Sequence, residues 1–433
     1  MNWIAWVVLA ALLLDFGLNW VADHLNLKAQ PDKPPDAFKA LFKNGDYPRS
    51  QAYLRVNTRF GRLAEAIQLG AILIFWFGRG FPVLDAWVRS FQWGPIFSGL
   101  VFIGILAVLR LVLSLPFSIY STFVIEERFG FNRTTWRTFF VDRVKGAILG
   151  VLLGAPLLAG ILFFFQAAGP LAWLYSWGVV IAYMLVMQYV APTWIMPLFN
   201  RFEPLKDAEL EADIRRYARS IDFPLQNVFV MDGSKRSGKG NAFFTGFGRH
   251  KRIVLFDTLV AQHERSELVA ILAHEMGHYK KHHVLMGLVM GIAQTGIMFY
   301  LLSLCIGYPA LFDAFFMPHA SVYAGLTLFG LLYAPVDFFT GILAMMISRR
   351  NEYAADRYAV ATSGHGPALA GALQKLSVHH LSNLSPHPFY VFLHYSHPPV
   401  MQRVAAIQRQ AALPNDRRPL KEGRRGGSAL PKG

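Results

Sequence analysis

The sequence predicts a mainly α, polytopic membrane protein, and three observations predict it. Of 433 residues, 54% are hydrophobic and only 16% charged, with a mean hydropathy of +0.33, too apolar for a soluble chain of this size. Apolar stretches long enough to cross ~30 Å of hydrocarbon recur along the chain. Lysine and arginine gather in alternate connections between those stretches, the pattern of loops held on one side of a membrane. The formal net charge of +15 is thereby assigned to topology. No aromatic-basic module accompanies it, so nucleic acid is not expected as a partner and the lipid bilayer is.

The first stretch, residues 3–22 (WIAWVVLAALLLDFGLNWVA), has no basic leader and no small-residue cleavage site, and reads as a retained span. Further spans are predicted over 64–83, 94–118, 146–168, 171–199, 284–307 and 321–347, seven in all. Glu65 and Gln68 in the second, Arg110 in the third and Asp337 in the seventh are expected to face protein or water, or, for Glu65 above all, to mark a span boundary. Lys28, Lys33, Lys39, Lys43, Arg49, Arg55, Arg59 and Arg62 lie between spans one and two, and Arg128, Arg133, Arg137, Arg143 and Lys145 between three and four. The opposite connections hold only Arg79 and Arg89, then none. The N-terminus is therefore expected outside and the C-terminus in the cytoplasm, with residues 200–283 and everything after 348 on the cytoplasmic side.

Residues 200–283 form the largest polar insert. An amphipathic helix is predicted over Leu205–Ile221, with strands at Asn227–Met231, Asn241–Phe247 and Arg252–Phe256. The loop from Gly233 to Lys239 imitates a phosphate-binding loop. It lacks the Ser or Thr after the lysine and the helix that should follow, so nucleotide binding is set aside. Ser266–His283 (SELVAILAHEMGHYKKHH) reads as a helix, in which His274 and His278, four apart, share a face. With Glu275 this is H-E-x-x-H, two imidazoles for one Zn²⁺ and a carboxylate to act as base toward water.

A catalytic zinc needs a third protein ligand and an open position. His282 lies ~12 Å along the helix axis from His274, too far to share an ion held at ~2 Å. Lys281 stands where the metzincin continuation requires glycine. Cys305, the only cysteine, sits in an apolar run, which leaves histidine and carboxylate as ligand types. Downstream, Glu352 and Asp356 again lie four apart on a helix-compatible run, one placed to ligate and the other to orient a ligand histidine. On spacing alone the alternative is a solvated face whose acids pair with Arg349, Arg350 and Arg357.

FVIEERFGFNRTT (123–135), HEMGH (274–278), SRRNEYAADRYA (348–359) and HYSHPPVMQR (394–403), in that order, resemble the type I CAAX prenyl proteases, polytopic membrane zinc endopeptidases of the gluzincin kind. The resemblance runs from the first apolar segment to about Gln408. It implies seven spans enclosing a water-filled chamber, capped by a cytoplasmic gluzincin-like zinc protease domain with a small β-sheet. It implies one Zn²⁺ per chain on His274, His278 and Glu352, with Glu275 as base and Asp356 orienting the ligands. His397 of the HPP motif would stabilise the oxyanion with Arg403 as a charged helper. NAFF would be an edge strand whose Asn241, Ala242 and Phe243 pair with an extended substrate. The alternatives are a turn histidine before two prolines at His397 and ordinary sheet packing at Asn241–Phe243. His379, His380, His387 and His394 match no ligand template and read as surface or turn residues.

The implied substrates are C-terminal Cys-a-a-X peptides bearing a farnesyl or geranylgeranyl chain. Without a prenyl requirement, the same site would trim misfolded or membrane-stalled proteins. A channel or receptor with structural zinc would instead need a fourth ligand and would have no use for Glu275. The expected organisation is spans one to five over 1–199, a zinc protease domain over 200–283 and spans six and seven over 284–347. A cytoplasmic part over 348–412, with the third ligand and the HPP motif, and a disordered basic tail over 413–433 complete it.

Overall fold

The computed structural model describes residues 1–42, 46–246 and 251–413; Lys43, the Phe247 end of the second expected strand and the basic tail beyond Leu413 lie outside them. Helix α1 spans Trp3–Lys28, α2 Asp46–Phe77, α3 Gly80–Ser90, α4 Pro95–Tyr120, α5 Trp136–Ala167 and α6 Ala172–Val190. Single π-helical turns extend α4 over Ser121–Glu126 and α6 over Ala191–Ile195, the latter leading into α7, Met196–Phe199. Helix α2 starts well before the expected residue 64. The run from Asp46 to Arg62 has few helix breakers, so Arg49, Arg55, Arg59 and Arg62 stand on a helix instead of in a loop.

The polar insert follows. Strand β1 (Phe202–Pro204), absent from the sequence expectation, is too short to show an alternating pattern. Helix α8 (Ala208–Ser220) is capped by Asp207, whose carboxylate accepts from the N–H groups of Glu209 and Leu210. Strands β2 (Leu225–Met231), β3 (Ala242–Thr245) and β4 (Lys251–Phe256) complete a sheet of order β1-β2-β4-β3, parallel between β2 and β4 and antiparallel elsewhere. Helices α9 (Asp257–Gln262) and α10 (Arg265–Lys280) lead to α11 (His283–Cys305), the sixth long apolar helix.

After α12 (Pro309–Asp313), the seventh span is bent. Helices α13 (Val322–Leu332) and α14 (Ala334–Ser363) meet at 54° beside Tyr333, where Pro335 lacks the N–H that would continue the ladder. Helix α14 does not stop at 347. It continues to Gly364, whose φ of +69° ends it in the left-handed conformation that glycine adopts without strain. Helices α15 (Gly366–His379), α16 (Pro388–His394) and α17 (Val400–Ala411) close the chain.

Two separate cores explain the architecture. One joins Ile4 and Val8 of α1, Trp76 of α2, Phe102 of α4, Leu162 of α5, Phe299 of α11 and Tyr323 of α13. In the seven-span order these residues all sit at one end of the bundle. An 18-residue apolar window of each of the six long helices is no more than 17% buried. A solid bundle would bury one face of each helix throughout, and burial this low fits helices that surround a hollow. The second core wraps α10, buried from Glu267 through His274, with side chains from α8, β2, β4, α14, α15 and α17. Such all-round burial makes α10 the central helix of the polar part, each fully covered Leu or Ile contributing ~1.5–3 kcal/mol.

Candidate metal centre

Helix α10 is fixed at its start by a capping box. Glu264 accepts from the backbone of Glu267, and the Glu267 carboxylate accepts from the Glu264 N–H. Its far end passes close to α14. A Cβ on Gly277 would lie 3.2 Å from the Ala355 carbonyl oxygen and 3.3 Å from its Cα, so only glycine lets the two backbones approach this closely. That approach brings Glu352 and Asp356 against His274 and His278.

The ligand atoms His274, His278 and Glu352 offer all lie within 4.8 Å of one another. His278 Nε2 is 3.1 Å from His274 Nε2 and 3.2 Å from Glu352 Oε1, and His274 Nε2 is 3.5 Å from Glu352 Oε2. His274 donates from Nδ1 to Asp356 Oδ1 at 2.8 Å, which leaves its Nε2 lone pair facing the cluster. Glu352 Oε2 is buried with no aligned donor, although Arg403 Nη1 lies 3.0 Å away. Converging lone pairs beside an orphaned carboxylate oxygen make a donor set of two nitrogens and a carboxylate, suited to a divalent ion of the zinc type. Glu352 and Asp356 are 4% and 2% exposed, which rules out a solvated helix face.

Arg403 is buried and forks onto Asp356, Nε to Oδ2 at 2.9 Å and Nη2 to Oδ1 at 2.7 Å. Its guanidinium therefore stands behind the cluster, holding the two α14 carboxylates. His397, by contrast, is 63% exposed at its side chain, with Nε2 3.5 Å from Glu352 Oε1 and Nδ1 2.9 Å from Ser396 Oγ. Arg349 fixes the turn before it by donating to the carbonyls of Val391 and Tyr395.

Glu275 borders the same cavity, and burial raises its carboxyl above the ordinary range. Around His274, burial opposes the charged ring, but the Asp356 and Glu352 carboxylates outweigh it and raise its pKa. The cavity, of about 460 Å³, is walled on one side by Leu259, Ile271, Leu369, Leu373 and Leu376. Asn241 and Ala242 line it too.

Strand β3 is an edge of the sheet. Phe256 N–H donates to the Asn241 carbonyl, so the alternation of an antiparallel pair turns the backbone groups of Ala242 and Phe244 to the open side. The Ala242 N–H is held by Asn241 Oδ1 at 2.8 Å. Phe243 departs from its expected neighbours: its ring lines a hollow on the other face of the sheet with Arg252 and Val254, while Phe244 borders the space beside Glu275 and His278.

His380 is a turn residue, as expected, closing α15, but it does not lie on the surface. It is half-buried, its Nε2 accepts the Gly240 N–H at 3.1 Å, and burial pushes its pKa down to about 4. His387 is a turn residue as expected, capping α16. The His380, Arg349 and Arg403 contacts join segments far apart in the chain, and no local spacing marks them.

Residues 23–201 match the family described as CAAX prenyl protease N-terminal, five membrane helices, and residues 204–411 match peptidase family M48. A CAAX prenyl protease 1 homolog of Oryza sativa is 35% identical over 384 residues, covering 86% of this chain and 90% of that protein. CAAX prenyl protease 1 of Saccharomyces cerevisiae is 32% identical over 410 residues, covering 88% and 89%. The crystal structure of S. mikatae Ste24p superposes with a TM-score of 0.86 at 30% identity, covering 94% of this chain and 99% of that one.

Proposed function

The chain belongs to peptidase family M48, and from that premise we propose how its own residues carry out peptide hydrolysis and on what. It is an integral-membrane metallopeptidase. The metal of this reading is one Zn²⁺ held by His274, His278 and Glu352; when bound, it supplies Lewis acidity toward a scissile carbonyl and lowers the pKa of water. Glu275 takes the proton of the attacking water and passes it to the leaving amine. Asp356 keeps the His274 proton on Nδ1, and Arg403 holds Asp356 and Glu352 in place.

His397, exposed at the rim, donates to the oxyanion as the carbonyl becomes tetrahedral. In this reading the Arg403 charge reaches that oxygen only through space. An extended substrate adds to the open edge of β3, taking its bonds from Ala242 after displacing the Asn241 side chain, with Phe244 on the side of Glu275. Phe243 supports the strand from behind.

The substrates of this reading are C-terminal Cys-a-a-X segments carrying a prenyl chain, the class named for the relatives above. The hollow between the spans suits them, since it offers an apolar chain a place beside the metal cavity. The hollow opens toward the cytoplasm, with the N-terminus outside. The single observation that carries the function is Glu275 at an open cavity beside three converging ligand atoms, an arrangement a closed structural site would not keep.

The test is mass-spectrometric cleavage of a farnesylated Cys-a-a-X peptide by detergent-purified protein, beside its unprenylated twin. Release of the tripeptide from the prenylated peptide alone is expected. Equal cleavage of both would remove the prenyl requirement and favour trimming of unfolded or stalled proteins. No cleavage of either, with zinc bound, would sink the proposal.

A further inference from the structure

The sixth span begins beside the candidate metal ligands, His283 lining a space with Glu275 and His278. His282 adopts a left-handed conformation, φ 56° and ψ 26°, which residues with a Cβ disfavour. Only Lys281 and His282 separate α10 from α11, and the turn at His282 brings His283, the first residue of α11, back onto α10. His283 Nδ1 lies 3.0 Å from His278 Nδ1, with the rings 5.0 Å apart and inclined at 71°. Two imidazole nitrogens at that separation share one proton between them.

Which ring owns that proton follows from the other side of His278. Its Nε2 faces Glu352 Oε1 and His274 Nε2 and must present a lone pair there to hold an ion. The His278 proton then sits on Nδ1, and His283 Nδ1 is the acceptor, its own proton being on Nε2. Among the described residues no other group is hydrogen-bonded to His278 Nδ1.

We infer that His283 is a positioning residue that holds His278 in its ligating tautomer, as Asp356 holds His274, and ties the metal centre to the start of the sixth span. The inference rests on the reading of His274, His278 and Glu352 as the ligand set. It concerns how tightly and in what geometry the ion is held, and not the chemistry done on it. Outer hydrogen bonds of this kind change metal affinity ~10–100-fold.

The test uses full-length protein in detergent: wild type, His283→Leu, His283→Asn and His283→Gln. Asn places a carbonyl oxygen where the ring Nδ1 stood and keeps an acceptor for His278; Gln places its amide near the Nε2 position, and Leu has no acceptor. Zinc affinity is read by competition with a chromophoric chelator, and site geometry by the d–d bands of the Co²⁺-loaded protein. Melting of the metal-free forms is recorded beside them. Leu and Gln are expected to bind zinc ~10–100-fold more weakly and to alter the Co²⁺ spectrum, with Asn close to wild type in both.

Wild-type affinity and spectrum in His283→Leu would overturn the inference, and so would equal weakening by Asn and Gln. Should His283→Leu fail to fold, the Asn and Gln pair decides alone. A wild type that binds no ion would instead remove the ligand reading underneath.

Discussion

At the scale of single residues, the proposed mechanism separates groups that would touch substrate from groups that hold other groups. Glu275 is of the first kind. Glu275→Gln keeps its shape but removes the base, and hydrolysis is expected to fall ~10²–10⁴-fold with zinc content unchanged by elemental analysis. Burial raises the Glu275 carboxyl above its ordinary value of 4.5. Its working form is ionised, so activity is lost as pH falls through that raised pKa. The acid limb of kcat/KM should therefore lie above 4.5 and vanish from the residual rate of the Gln variant. Asp356 and Arg403 are of the second kind. Arg403→Ala leaves the buried Asp356 carboxylate without its fork and is expected to cost ~3–5 kcal/mol of stability, read by denaturant unfolding, together with lost metal. The pattern of His274, Glu275 and His278 was legible because one helical turn carries it. Arg403 was legible only as a member of a motif, since its partners lie 47 residues or more away in sequence and its fork depends on how α17 packs against α14.

At the scale of elements, the centre depends on two backbones meeting. Gly277 is the third residue of the four after which the histidine spacing closes, and it is where α10 passes the Ala355 carbonyl. Gly277→Ala must move the helices apart by a few tenths of an ångström. The expected outcome is a loss of ~1–3 kcal/mol and weaker zinc binding with Glu275 untouched, measured by chelator competition. Strand β3 supports a complementary expectation that leaves the protein unaltered. If substrate pairs with the open backbone groups of Ala242, replacing the facing substrate N–H with N–CH₃ should reduce kcat/KM ~10-fold or more, while methylation one residue along, where the N–H faces away, should not. Element types in the polar insert were legible from periodicity, as in α8 and β2. That α14 is one helix was not: the apolar span ends near residue 347 and the helical run from Asn351 reads as a separate segment, whereas the backbone runs unbroken to Ser363 because polar residues continue a helix as readily as apolar ones. The bend at Tyr333 needed Pro335 to be read as a break inside an apolar run instead of a tolerated proline.

At the scale of the whole molecule, membrane and metal are one construction. His274 and His278 precede α11, Glu352 follows the bent seventh span on the same helix, and the ligands can meet only if an even number of crossings lies between them. The spans were countable in the sequence, yet the hollow was expected only through the family resemblance, because hydropathy reports that a helix faces something apolar and says nothing of which helices touch. In the structure it is supported by the low burial of the apolar windows, beside a core that gathers Trp76, Phe102 and Phe299. Parity puts the site and the C-terminus on one side, and in the proposed reading the positive charge of the loops makes that side the cytoplasm. Arg49, Arg55, Arg59 and Arg62 stand on the N-terminal part of α2 and Arg137, Arg143 and Lys145 on the first turns of α5, the parts of those helices from which Tyr53 and Asp142 bond Lys239 and Arg236 of the polar insert, whereas Arg79 and Arg89 belong to α3 at the other end of α2. Cytoplasmic retention of the side that holds the metal centre gives a concrete expectation for fusions expressed in a bacterial host: green fluorescent protein after residue 413 should fluoresce and alkaline phosphatase there should be inactive, with phosphatase inserted in the α3–α4 connection active. The reverse pattern would place the cavity outside, where cytoplasmic prenylated chains cannot reach it, and would leave the hydrolytic chemistry intact while removing the substrate class assigned to it.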